Sequence, residues 1–212
     1  ASCNGVADGG ATASQTGGTS PYAYLWDDPS AQTNAAATGL AAGTYTVTIT
    51  DANGCNDNAS VNITEPVTLV ASATVDNNAS CNGVADGGAT ASATGGTGAY
   101  TYAWSNSGNT ASIIGLAAGT YTVTITDANG CTDNASVNIT EPVVVALTSD
   151  SVDATCNSVC DGQAMVIPAG GTTPYSFLWN DALAQTNDTA NALCVGAYQV
   201  VVTDANGCSD SI

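Results

Sequence analysis

The chain of 212 residues contains no lysine, no arginine and no histidine. Without cationic side chains it cannot neutralise the phosphates of a nucleic acid or the headgroups of an anionic membrane, so both are excluded as partners. The same gap removes the imidazole base, the Schiff-base lysine, the arginine clamp and the histidine metal ligand from any catalytic scheme. No apolar run reaches 18 residues, so no membrane insertion is expected, and helical periodicity is absent. Large side chains are scarce too, with one Phe and one Met. What remains for chemistry is carboxylate and thiol: 18 acidic residues, giving a formal charge of −18, and eight cysteines.

Against this background one paragraph of sequence is written three times. Gly43 to Cys55 (Gly-Thr-Tyr-Thr-Val-Thr-Ile-Thr-Asp-Ala-Asn-Gly-Cys) returns verbatim from Gly119 to Cys131 and more loosely from Gly196 to Cys208. A second marker, Cys-Asn at Cys3, Cys81 and Cys156, keeps nearly the same step. A period of about 76 residues implies tandem small domains rather than one large enzyme. The boundaries fall at Glu65-Pro66 and Glu141-Pro142, giving domains over 1–65, 66–141 and 142–212. Proline fixes its own φ and holds the preceding residue extended, so the junctions are expected to be short and stiff.

Within a repeat, Tyr100-Thr101-Tyr102-Ala103-Trp104 alternates with period two, as do Tyr22 to Trp26 and Tyr175 to Trp179, each after a Gly-Gly-Thr loop. Tyr121, Val123 and Ile125 share one face of a second strand and Thr122, Thr124 and Thr126 the other. Asp127-Ala128-Asn129-Gly130 then forms a tight turn into a return strand at Ser136–Thr140. Short strands, Gly-rich turns and a Trp between cysteines describe an all-β chain of three tandem small immunoglobulin-like β-sandwich domains forming a rod.

These residues carry a family resemblance. Cys-Asn-Gly-x-Ala-Asp-Gly, then Thr-Gly-Gly-Thr-x-x-Tyr-x-Tyr-x-Trp, then Gly-Leu-Ala-Ala-Gly-Thr-Tyr-Thr-Val-Thr-Ile-Thr-Asp-Ala-Asn-Gly-Cys resembles the SprB-type repeat of Bacteroidetes surface proteins. That family is named for a large cell-surface adhesin of gliding bacteria, and its repeats are similar to other immunoglobulin-like and PKD-like modules. The resemblance implies export to the cell surface, filament or stalk architecture, and adhesion. The third repeat departs from the pattern at Gln163–Ile167 and carries two extra cysteines, Cys160 and Cys194.

Several residue groups are candidate sites. The triplets Tyr22/Tyr24/Trp26, Tyr100/Tyr102/Trp104 and Tyr175/Phe177/Trp179 suit either a domain core or a sugar-stacking platform; with only twelve aromatics in the chain, the core has first claim. Asp51, Asn53 and Asp57, with Asp127, Asn129 and Asp133 and with Asp204, Asn206 and Asp210, set oxygen ligands around a turn and are candidates for Ca²⁺. Turn chemistry selects the same residues without an ion. Asp8, Asp86 and Asp161, each before Gly, pose the same choice. No catalytic residue is assigned, because every recurring Asp occupies a turn position. Ser151, Thr189 and Ser211 lie in Asp-Ser/Thr-aliphatic triplets that resemble the Bacteroidetes O-glycosylation motif.

An even cysteine count, placed near the two ends of each repeat, reads as a disulfide framework of an oxidising, extracellular compartment. Zinc is the rival for Cys156 and Cys160, but no second close pair or histidine completes a site. The period maps Cys3 with Cys55, Cys81 with Cys131 and Cys156 with Cys208, which predicts one bond per domain, each closing a loop worth roughly 4 kcal/mol. Cys160 and Cys194 replace Ala85 and Ala117 and form a fourth bridge if those positions face each other. The first repeat has no counterpart of the lead-in Val67–Val75, and the third stops short of the return strand, so flanking sequence or a neighbouring subunit is expected to close both ends by strand addition. The partners implied are neighbouring repeats or like subunits end to end, with a surface or glycan target unspecified.

Overall fold

The computed structural model describes residues 1–156 and 158–212; Asn157, the second residue of the third Cys-Asn marker, lies outside the described residues. Every element is a strand. The first repeat supplies β1 (Gly9–Thr12), β2 (Ala23–Trp26), β3 (Ala36–Leu40), β4 (Gly43–Thr50) and β5 (Asn56–Ile63). The second supplies β6 (Val70–Asn77), β7 (Gly87–Thr94), β8 (Thr101–Trp104), β9 (Ser112–Leu116), β10 (Gly119–Thr126) and β11 (Thr132–Ile139). The third supplies β12 (Ala146–Val152), β13 (Gly162–Ala169), β14 (Ser176–Trp179), β15 (Thr189–Leu193), β16 (Val200–Thr203) and β17 (Ser209–Ser211).

These strands form six antiparallel sheets, two per repeat: β1-β3 with β2-β4-β5, β6-β7-β9 with β8-β10-β11, and β12-β13-β15 with β14-β16-β17. In each repeat the chain changes sheet before and after the aromatic strand, which is the crossing order of an immunoglobulin-like sandwich. By internal packing the chain divides into two compact units, Ala1–Ala73 with Ala91–Ala111 and Thr122–Ser136, and Thr74–Thr90 with Ser112–Tyr121 and Val137–Ile212.

The cores explain the composition. In the first repeat Trp26, Ala37, Leu40 and Val47 pack with Tyr24, Tyr45, Val61 and Ile63 from both sheets. In the third, Val166, Trp179, Ala190, Leu193, Val200 and Val202 pack with Leu147, Phe177 and Tyr198. Each Trp is the central bulky group, 3–4% exposed, and each indole N–H donates to a backbone carbonyl 6 or 8 residues on, at Asn34, Thr110 and Asn187. None of the twelve aromatics is exposed. Two tyrosines, Tyr121 near the start of β10 and Tyr198 just before β16, donate back to the carbonyl four residues upstream, Tyr121 to Ala117 and Tyr198 to Cys194, both at 3.1 Å. Alternation leaves threonines outside, where Thr46 meets Ser60 at 3.1 Å and Thr124 meets Asn134 at 2.7 Å across the strand pair.

The disulfides correct the expected map. The bonds are Cys3–Cys131, Cys81–Cys208 and Cys160–Cys194, and Cys55 and Cys156 are free and exposed. Cys3 is not bonded to Cys55, nor Cys81 to Cys131, nor Cys156 to Cys208. The reason is strand length. Cys55 immediately precedes the eight-residue β5, whereas Cys3 sits where β5 ends, with the Ala1 amino group donating to the carbonyl of Thr64 at 2.5 Å. At about 3.3 Å per residue the strand separates the two cysteines by about 26 Å, several times the Cα span of a disulfide. The bonded cysteines have Cα atoms 5.8 Å and 5.6 Å apart.

Candidate functional site, the cross-linked junction between repeats

Each compact unit contains one junction between consecutive repeats, built twice from the same parts. The first part is the Asp-x-Asn-Gly-Cys turn. In the second repeat the Asp127 carboxylate accepts from the backbone N–H groups of Thr97 (2.8 Å), Asn129 (2.9 Å) and Cys131 (2.9 Å). Asp204 repeats this with Thr172, Asn206 and Cys208, at 2.8, 2.9 and 2.9 Å. A carboxylate satisfied by three amides of two loops fixes the turn against the Gly-Gly-Thr loop. Two glycines are obligatory there: Gly96 has φ +62°, and a Cβ on it would stand 2.7 Å from the Asp127 oxygen; Gly171 would meet Asp204 at 2.8 Å.

The second part is the Cys-Asn-Gly loop of the preceding repeat. Ser2 donates its N–H to Asp8 at 2.8 Å and its hydroxyl to the same carboxylate, and Ser80 does so to Asp86 at 2.8 and 2.5 Å. The third part is the connecting Glu-Pro. Glu65 accepts from the Asn4 side-chain amide (3.0 Å) and the Gly5 N–H (2.7 Å), and Glu141 accepts from Asn82 and Gly83 at the same distances. The chain beyond the proline is then held by the Gly-Gly loop of the next repeat, Gly96 N–H to Val67 carbonyl and Gly171 N–H to Val143 carbonyl, both at 2.8 Å. The disulfide closes the assembly, and beside it the side-chain amide of Asn129 donates to the Ser2 carbonyl at 2.8 Å, that of Asn206 to the Ser80 carbonyl at 3.0 Å.

Burial pushes the pKa of Asp127 and Asp204 upward, but the amides of both loops outweigh it and hold each carboxyl below the ordinary aspartate range. Asp51 is also held low, led by the Thr19 amide. A carboxyl depressed in the folded state contributes stability that is present above its unfolded value, near 3.9, and is lost as pH falls through the folded one. The melting temperature is therefore expected to fall as pH drops below about 4. Asp204→Asn is expected to lower it at pH 7 and to flatten its acid decline, as read by calorimetry between pH 7 and 2.5.

The expected calcium ligands are accounted for individually. Asp51, Asp127 and Asp204 direct their oxygens at amides, and Asn53, Asn129 and Asn206 direct their side chains at Thr19, at Thr97 and Ser2, and at Thr172 and Ser80. Asp57, Asp133 and Asp210 lie on the following strands, Asp133 accepting from the Ala71 N–H at 2.8 Å. Among the described residues no three acidic or cysteine side chains are arranged to hold a metal ion. Of the proposed glycan acceptors, Ser151 and Ser211 are exposed on β12 and β17, and Thr189 is half-buried, its hydroxyl donating to Asp188. Sequence reasoning missed the glutamate clamp and the pairing across repeats. The signal available was the length of the strand separating Cys55 from the end of its own repeat.

Known proteins share parts of this pattern. The model of the SprB repeat matches residues 1–31, 73–109 and 148–184, the leading half of each repeat including its Cys-Asn marker and aromatic strand. No curated protein sequence matches the chain. Among solved structures, the N-terminal eight Ig domains of Down Syndrome Cell Adhesion Molecule align over 90% of this chain and 31% of that one, at 12% identity and a TM-score of 0.39. A tetra-tandem repeat from the extending region of a large adhesion protein aligns over 92% and 66%, at 15% identity and 0.29. Domains 4–9 of surface layer protein SbsC align over 93% and 39%, at 17% identity and 0.25. The chain thus spans about a third of the first of these structures. The family pattern is found once in each period, on the segment that holds the Cys-Asn loop, and in the first two periods that loop carries the inter-repeat bond; the chain thus carries the SprB repeat three times.

Proposed function

We propose that this chain is a load-bearing segment of a long, secreted, repeat-built bacterial surface adhesin or extracellular filament. The observation that carries the reading is the junction itself. Two consecutive repeats are joined by a disulfide and by an Asn side-chain amide on the neighbour's Ser carbonyl, while a bidentate glutamate clamp and a backbone clasp fix the linker to the repeat on either side, and the set occurs twice with equivalent partners. An independent binding module has no need to be welded to its neighbour. A segment that transmits tension along an array does, because a bonded joint cannot hinge open under load. Disulfides fit an oxidising compartment, and an acidic surface with no cationic side chain resists condensation onto like-charged chains.

A sugar-binding role for the aromatic strand is not supported, since Trp26, Trp104 and Trp179 are buried and their indole N–H groups are already engaged. The test is location on the living cell. Antibody raised against the three repeats should label intact, unpermeabilised cells or filaments they shed. Label that appeared only after permeabilisation would contradict the proposal.

A further inference from the structure

We infer that the free thiols Cys55 and Cys156 are each one half of a further junction of this kind, and that a second copy of this chain can complete both, joined head to tail through a Cys156–Cys55 disulfide. The inference rests on the junction described above and extends it to an intermolecular contact. In each bonded pair one cysteine comes from a Cys-Asn loop and the other from the Asp-x-Asn-Gly-Cys turn of the following repeat. The one Cys-Asn loop left over is that of Cys156, and the one turn left over is that of Cys55.

Both halves already hold the bonded geometry. At the turn, Asp51 accepts from Thr19, Asn53 and Cys55, as Asp127 and Asp204 do from their counterparts. At the loop, Thr155 donates its N–H and its hydroxyl to Asp161, as Ser2 does to Asp8, and the Val159 N–H donates to the Cys156 carbonyl at 3.0 Å, as Val6 does to Cys3 at 3.2 Å. A second, independent observation is exposure. Asp127 and Asp204 are 5% and 4% exposed, while Asp51 is only half-buried. Gly17-Gly18-Thr19 and Cys55 are exposed where Gly95-Gly96-Thr97, Gly170-Gly171-Thr172, Cys131 and Cys208 are half-covered. Thr155 and Cys156 are likewise exposed where Ser2, Cys3, Ser80 and Cys81 are half-covered. The surface that two repeats bury in each other is therefore presented at both of these sites. Its two faces differ, so the contact is heterologous and propagates as an open chain rather than closing as a dimer.

The bond forms by thiol–disulfide exchange with a small disulfide oxidant. One thiolate attacks the oxidant and releases one thiol, and the second thiolate displaces the other, so two electrons and two protons pass from the cysteine pair to the oxidant as two free thiols. The test uses the whole protein with oxidised glutathione. Unmodified chain should give a ladder of disulfide-linked multimers. Cys55→Ser alone and Cys156→Ser alone should stay monomeric, and a mixture of the first with isotopically heavy second should give a heavy–light dimer at least tenfold over either homodimer, linked Cys156 to Cys55.

Homodimers in equal yield, or glutathione-capped monomers alone, would overturn the inference. Both variants alter exposed thiols, and unchanged melting curves serve as the check that each is folded. If Cys3–Cys131 is found intact in a mixture that forms no heavy–light dimer, the intermolecular contact fails and the internal junction stands; if that bond is absent too, both fail.

Discussion

Pulled from its two ends with its disulfides intact, the chain is expected to stop at roughly 190 Å, and after full reduction to reach about 720 Å, at about 3.4 Å per extended residue. The two junction bonds overlap, so the tight path enters at Cys3, crosses to Cys131, runs back about 50 residues to Cys81 and crosses to Cys208. Variants separate this topology from one bond per repeat. Cys3→Ser should lengthen the oxidised limit to roughly 290 Å, because only the Cys81–Cys208 bond then shortens the path. Cys55→Ser should leave it unchanged, because Cys55 is free. If Cys3 were bonded to Cys55, the two variants would lengthen the chain equally. Single-molecule force extension reads all four values, and equal lengthening would contradict the interlocked arrangement.

Trp179→Ala is expected to be the most damaging single substitution in the third repeat, at roughly 3–5 kcal/mol. Trp179 is 4% exposed and joins the two sheets of a core whose other buried members are Val, Leu and Ala, which are too small to fill the space it would leave. Truncation also removes the indole donor to the Asn187 carbonyl, 2.9 Å away. The measurement is native-state hydrogen exchange. Protection of β13 to β16 should fall at least a hundredfold, while amides of β4 and β5 in the first repeat keep theirs. Equal loss in both repeats would show that the core clusters are not independent. A loss below tenfold would show that Trp179 does not anchor its core.

What is legible in the sequence and what is not divide along a physical line. The period-two alternation of Tyr-x-Tyr-x-Trp and Tyr-Thr-Val-Thr-Ile is local, and it sets the strands, the buried aromatics and the threonine-covered outer face without help from the rest of the chain. Asp127-Ala128-Asn129-Gly130 is legible as a turn because Asp127, Asn129 and Gly130 each have a turn preference of their own. The pairing of the cysteines is not legible in the same way. A repeat makes Cys55, Cys131 and Cys208 equivalent, so periodicity says that they do the same thing without saying with which copy. Only the three-dimensional fact that an eight-residue strand places Cys55 and Cys3 at opposite ends of one sandwich selects the neighbour's cysteine. The glutamate clamp is hidden for a related reason. By its place before proline Glu65 belongs to a stiff linker, but its two oxygens are aimed at the start of its own repeat, about 60 residues earlier.

The joint also explains why an acidic chain with no cation is stable at its turns. Nine aspartates have their pKa held below the ordinary range, and in none is the cause a cationic side chain; backbone, hydroxyl and side-chain amide donors supply the field, with a lesser share from the Ala1 ammonium at Asp8. Such donors are supplied by loop geometry: the positive φ of Gly96 and Gly171 lets the Gly-Gly-Thr loop lie against the turn, where the next residue's N–H, that of Thr97 or Thr172, reaches the carboxylate.

The most direct test of the cross-linked junction is a disulfide map of the unreduced protein. Free thiols are blocked first, and cleavage is directed at Asp and Glu because the chain offers trypsin no Lys or Arg. The account predicts linked peptides for Cys3–Cys131, Cys81–Cys208 and Cys160–Cys194, with Cys55 and Cys156 carrying the blocking group in monomeric protein. Linked peptides for Cys3–Cys55, Cys81–Cys131 and Cys156–Cys208 would contradict it.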